Sequence, residues 1–304
     1  MALRDANFCL TFDSGSSGEY RVPSDKSLLI ENVYSTNTGD TEEFLQLLID
    51  RTTVGYYMVG GSRINHLAYR KLEDPEDVNV LVTMFKKGIF KGYPVAAGQT
   101  FNWKTINGGS VTVTITGKLY DAGDITPSME NGTESKSFVY VAYGRPSSVP
   151  SGSGDVLVDK SLNPAEFSNF PFGGVVPAKT KITIFGICAN GVGRTSGNGA
   201  NKAVTTFIKL IKGREVLFDP SRKGLPNEGA CPSGDGVDLG GAYGMFNFNS
   251  LLDKKPAFFF SEPIIFESGE ELNIYHTVKV LAGSMNLTPD DLMIALIMKE
   301  EKLE

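Results

Sequence analysis

At about 150 residues per domain, the 304-residue chain has room for two domains, each able to bury a core without disulfides or metals. Its net charge of −6 and the lack of a long basic run argue against a dedicated nucleic-acid surface. The three cysteines, Cys9, Cys188 and Cys231, have neither the count nor the spacing of a disulfide framework or a zinc site.

The N-terminal MALRDANFCLTF carries no apolar signal region, so cytosolic synthesis is expected. The longest apolar runs, AFFF at 257–260 and LMIALIM at 292–298, fall well short of the roughly 20 residues of a membrane-crossing helix. From the N-terminus, Phe8, Leu10 and Phe12 alternate, and a polar turn follows. Then come β-branched and aromatic runs at 28–34, 44–49, 54–59, 78–85, 100–106 and 111–120, separated by turn residues, which predicts strands. The clearest is VTVTITG, with Val111, Val113 and Ile115 on one face and threonines on the other, entered through the hairpin signal Asn107-Gly108-Gly109. Thr41 before Glu42-Glu43 could cap a helix, but a hairpin FLQLLI–DRT–TVGYYMV matches a similar segment later in the chain.

GRPSSVPSGSG, at 144–154, lacks apolar periodicity and reads as a linker. The expected organisation is therefore a first domain at 1–145, a linker at 146–154 and a second domain at 155–304. After the linker, strand-like runs recur at 156–158, 181–188, 205–211, 215–218, 243–248, 257–260, 263–266, 271–280 and 291–299.

The two halves resemble each other. VPSDKSLLI from Val22 matches VPAKTKITI from Val176, 154 residues on. FLQLLIDRTTV matches FIKLIKGREVL at 163, setting Asp50-Arg51 on Gly213-Arg214. PVAAGQTFNW matches PIIFESGEELNI at 171, with Gly98 on Gly269, and VTVTITGKL matches LMIALIMKE at about 181. The stretch 60–93 does not align with 219–262. FVYVAY, at 138–143, has no partner in this scheme; a second alignment makes it the last strand of the first half, matched to 292–297. About eight strands per half suggest a β-sandwich or barrel.

Chemistry-bearing motifs are scarce. His66 and His276 have no histidine neighbour, so each is expected to make a structural hydrogen bond or face solvent. GVGRTSGNGANK, at 191–202, has Ser196 where a dinucleotide loop needs glycine, and it has no Gly-Lys-Ser/Thr. Asp235 and Asp238 in SGDGVDLGG are too few oxygen ligands for calcium. The pairs Glu42-Glu43 and Asp290-Asp291 point to opposite faces of a strand, and no G-x-S-x-G elbow occurs. No catalytic, cofactor-binding or metal-binding residue is assigned, and an enzyme is not expected.

The tandem β-rich halves, the Pro/Gly/Ser linker and the P…G-x-x-Φ-x-Φ strand entry in each half (PVAAGQTFNW, PIIFESGEELNI) resemble the double jelly-roll major capsid proteins of icosahedral viruses of bacteria and archaea, many with an internal membrane. The resemblance implies an all-β fold of two tandem eight-stranded jelly rolls. It also implies a homotrimeric, pseudo-hexagonal capsomer located in the virion. Its partners would be neighbouring capsomers, with room for minor or penton proteins and an underlying membrane. The loops at 121–136, 190–203 and 219–242 would be towers or contacts between tiles. The competing reading is a β-sandwich binding module, such as a viral spike or a carbohydrate-binding protein, for which Trp103 and the eleven tyrosines are the candidate platforms.

Overall fold

The computed structural model describes residues 6–37, 43–60, 66–68, 79–124, 136–149, 151–167, 170–189, 202–218, 224–226, 257–282 and 289–304. The chain is all-β apart from one helix and a 3-10 turn among these residues. It divides into two compact units, Met1–Tyr140 and Val141–Glu304.

The first unit contains β1 (Ala6–Gly15), β2 (Ser17–Arg21), β3 (Lys26–Asn37), β4 (Glu43–Ile49), β5 (Thr52–Gly60), α1 (Val80–Lys86), β6 (Tyr93–Val95), β7 (Thr100–Thr105) and β8 (Val111–Asp121). They form two antiparallel four-stranded sheets, ordered β1-β8-β3-β6 and β2-β7-β4-β5. The two sheets face each other: Phe12 on β1 meets Trp103 on β7 edge-on at 5.8 Å, and the Tyr57 hydroxyl on β5 bonds that of Tyr93 on β6 at 2.5 Å. Between them lie Leu28, Ile30, Leu45, Leu47, Val95, Phe101, Trp103, Val113 and Ile115, all buried. Each such side chain contributes about 1.5–3 kcal/mol by leaving water.

The run VNVLVTMF at 78–85, expected as a strand, forms from Val80 onward the helix α1. Asn79 is its N-cap, and its side-chain oxygen accepts from the N–H groups of Leu81 and Val82 at 3.0 and 3.2 Å. Val80, Leu81, Thr83 and Met84 are buried, a helical spacing that outweighs the β-preference of the valines. Lys86 in its last turn and Lys87 at its C-cap close this helix.

The second unit contains β9 (Ser137–Arg145), β10 (Gly154–Leu157), β11 (Lys160–Ser161), β12 (Gly174–Val175), β13 (Thr180–Ala189), β14 (Lys202–Lys212), β15 (Glu215–Val216), β16 (Leu225–Pro226), β17 (Phe258–Phe266), β18 (Glu271–Ala282) and β19 (Ile294–Lys302). One sheet runs β11-β9-β19-β13-β17; the other runs β10-β18-β14-β15, with β12 also on β18 and β16 also on β14. FVYVAY is therefore not the last strand of the first half. It lies in β9, which is hydrogen-bonded into the second unit's sheet between β11 and β19, and the division between units falls within this strand. The phenylalanines of AFFF and the run PIIF, expected in separate strands, belong to the single strand β17, which bulges between them against β13. The run read as a linker follows β9. There Ser147 donates to Asp159 through both its N–H and its hydroxyl at 2.6 Å, and Val149 packs on Val156, Val278 and Leu292.

Four strands of each unit repeat in register. Ile30 and Ile184, 154 apart, each precede the same bulge, between Ile30 and Asn32 in β3 and between Ile184 and Gly186 in β13. Leu28 faces Leu119 as Ile182 faces Glu300, so the last strands are offset by 181. Leu47 faces Trp103 as Leu210 faces Ile274, which fixes offsets of 163 and 171. The units differ where β2 crosses β7. In the second unit that place is taken by two pieces, β10 and β12, both on β18, with residues 158–173 between them.

Candidate functional site

The repeat is tightest at one corner. Ala96–Gln99 and Glu267–Glu270 are turns closed by the N–H of the fourth residue on the carbonyl of the first, at 3.0 and 3.1 Å. Gly98 and Gly269 occupy the third position with φ of 78° and 85°, where a side chain would be strained. The Gln99 side chain accepts from the Ala96 N–H at 2.9 Å, and that of Glu270 accepts from Glu267 at 2.7 Å. The Glu267 N–H holds the Glu270 carboxyl below its ordinary value, and Lys212 adds to this. The neighbouring hairpin turns match as well. Asp50 (φ 54°) and Gly213 (φ 61°) donate to the carbonyls of Thr100 and Glu271 at 2.7 and 3.1 Å.

Several buried polar groups are bound into the fold by hydrogen bonds. Glu43, on β4 and 2% exposed, accepts from the N–H groups of Phe44, Ile106 and Asn107 through Oε1 at 3.0, 2.8 and 2.8 Å. Its Oε2 accepts from Gly109 at 2.8 Å. One carboxylate thus organises the whole Asn107-Gly108-Gly109 hairpin. Burial raises the Tyr57 hydroxyl well above its usual range, against the hydrogen bond it shares with Tyr93, so Tyr57 stays neutral. Asn163 binds the β9 backbone, accepting from Tyr143 at 2.7 Å and donating to Val141 at 2.9 Å.

His66 and His276 are both fully buried, and they lie in different units. Burial lowers His66 to about 3. Burial also lowers His276 to about 4, against a hydrogen bond with the Leu292 backbone. Both are therefore neutral at pH 7. The His66 segment belongs to the frame of its unit: its N–H donates to the Met58 carbonyl at 2.9 Å, and its carbonyl accepts from Val80 at 2.9 Å. No group of three or more His, Cys, Asp or Glu able to hold a metal occurs among the described residues. Asp290 pairs with Arg145. Residues 191–201 of the glycine-rich loop, Asp235, Asp238 and Cys231 lie outside the described residues, as do most of the expected loops at 121–136, 190–203 and 219–242. Cys188 is buried and Cys9 exposed. Trp103, a candidate sugar platform on sequence, is 1% exposed and belongs to the core.

Sequence reading missed an exposed aromatic group. Phe218 is 52% exposed, lies in the left-handed region with φ 69°, and stacks on Phe260 at 5.2 Å; Phe258 meets Phe260 edge-on at 5.5 Å. The run AFFF carried the signal, but a strand run alone does not tell a core face from an outer one.

No protein-family model matches this chain, and a search of curated proteins finds no match.

Proposed function

We propose that this chain is a major capsid subunit of the double jelly-roll type, three copies of which form a pseudo-hexagonal tile of an icosahedral shell. The observation that carries the reading is the winding of the strands. In the first unit β1 pairs with β8, β2 with β7, β3 with β6 and β4 with β5. These four pairs make one long two-stranded ribbon. The further pairings β3 with β8 and β4 with β7 roll that ribbon up, a winding that supports the jelly-roll reading. The second unit supports the same path, with β9 beside β19, β10 and β12 on β18, β13 on β17, and β14 on β15 and β16.

A trimer of such tandem chains carries six similar lobes, the number that fills a hexagonal position in a shell. The subunit's partners are then its own copies and neighbouring capsomers, with minor or penton proteins and an underlying membrane as further contacts. Its place is the virion, and its work is structural rather than catalytic. Electron microscopy of the purified protein tests this. Class averages with three-fold symmetry and six lobes are expected; averages of a single two-lobed particle at every concentration overturn it.

A further inference from the structure

At the corner where the two units match in register, their exposed charges are opposite. The offset of 154 sets Asp25 on Lys179, and that of 181 sets Asp121 on Lys302, since Lys26 faces Asp121 as Thr180 faces Lys302. All four of these twin residues are exposed.

In the first unit Lys26 donates to Asp121 at 3.0 Å, and its amine is raised by Asp121 above all and by Asp25 as well. Asp124 is held close by, its N–H on the Asp121 carbonyl at 3.2 Å. One cation thus stands among three carboxylates. The segments that flank this corner in sequence, 1–5 and 125–135, bring no excess of basic side chains. In the second unit the Leu303 N–H donates to the Lys179 carbonyl at 2.7 Å, which fastens Lys179 to the segment Lys302-Leu303. The Leu303 side chain is 44% exposed. Glu301 and Glu267 lie with Lys299 at 2.8 Å and Lys181 at 3.9 Å, and Glu304 offsets one lysine of the corner. Lys179 also lies in the left-handed region with φ 58°, and Asp25 does not. A position that the backbone would give to glycine therefore holds a long cation, which points to a role for its amine.

We propose that the corner of Lys179, Lys302 and Leu303 docks on the corner of Asp25, Asp121 and Asp124 of a second copy of this chain. The contact is heterologous, second unit to first unit. It rests on the capsid reading, in which every unit stands the same way up. In a six-lobed ring the twin corners then stand at one level around the axis, each lysine corner beside the carboxylate corner of the next copy, and three such contacts close the ring. The charges sort more than they bind. Exposed ion pairs add little affinity, whereas like charges set together suppress the wrong partner. Two units this alike could otherwise pair first with first or second with second, and opposed corners favour the alternating order. An anionic membrane surface is a poorer fit, because the twin corner would bring carboxylates to it.

The test exchanges one pair of twins in the full chain. Asp25→Lys and Lys179→Asp are made singly and together, and self-association is followed by sedimentation against concentration and salt, with the thermal midpoint read on the same samples. Each single reversal is expected to weaken association severalfold at an unchanged midpoint, and the double variant to recover it. High salt should narrow these differences. Lys179→Gly relaxes the backbone, so it should hold or raise the midpoint and still weaken association; it decides the matter if either reversal lowers the midpoint. Association indifferent to these variants, or a double variant no better than the singles, overturns the contact. So does binding to anionic vesicles that Lys179→Asp abolishes while association is unmoved. A trimer that ignores the exchange rejects this contact alone, an assembly of another size that follows it rejects the capsid reading alone, and a chain that stays monomeric rejects both.

Discussion

Gly98 and Gly269, 171 residues apart, do the same thing: each lies in the left-handed region and donates its N–H to the valine of a Val-Pro pair, Val22 at 3.1 Å and Val176 at 3.0 Å. The valines answer alike, donating to the Gln99 and Glu270 carbonyls at 2.9 Å. This reciprocal pair of bonds fastens the entry of one sheet to the entry of the other in each unit. Alanine at either position meets open space, so its effect is conformational strain alone. Gly98→Ala and Gly269→Ala are each expected to destabilise their own unit by about 1–2 kcal/mol, read from the denaturant midpoint. An effect at only one of them would break the equivalence.

Glu43 is the most heavily committed buried side chain of the first unit. Glu43→Ala removes the shared acceptor of four N–H groups, of which Ile106 keeps the Phe44 carbonyl at 3.0 Å, and is expected to lower stability by roughly 2–4 kcal/mol. Amide exchange across Ile106–Gly109 should accelerate in step. A change under about 0.5 kcal/mol would mean that water serves those donors as well.

Asn79 links α1 to β3, because its side-chain N–H donates to the Val33 carbonyl at 3.0 Å while its oxygen caps the helix. Asn79→Ala removes both and is expected to cost about 1–2 kcal/mol. Asn79→Asp keeps the cap but not the donor, so it should fall between alanine and wild type. Equal losses for the two variants would remove the cap from the account.

The buried histidines set an acid limit. Each is held below its unfolded value of 6.5, so the unfolded chain binds the proton first. Their contribution is complete above pH 6.5 and is lost as pH falls toward about 4 for His276 and about 3 for His66. Each histidine removes about 1.4 kcal/mol per pH unit across that window. Thermal melts from pH 7 to 4.5 should show a falling midpoint, and His66→Gln should flatten the decline of the first unit. Constant midpoints over that range would contradict the burial of both rings.

Much of the fold was legible because burial leaves a period in the sequence. VTVTITG forms β8 with Val111, Val113 and Ile115 buried, and all four offsets between the halves recur in strand register. The helix α1 was not legible, because its valines favour strands and its cap depends on a carbonyl from β3. The place of FVYVAY was also hidden, since alternation identifies a strand but not its sheet. Glu42-Glu43 read as an adjacent pair on opposite faces of a strand, and only the folded hairpin reveals four donors converging on Glu43.

The central claim is most directly tested by the mass of the native protein in solution. Size exclusion with light scattering should give about 98 kDa, three times 32.8 kDa, or an assembly built from that unit. A species of 32.8 kDa that persists at every concentration and ionic strength would contradict it.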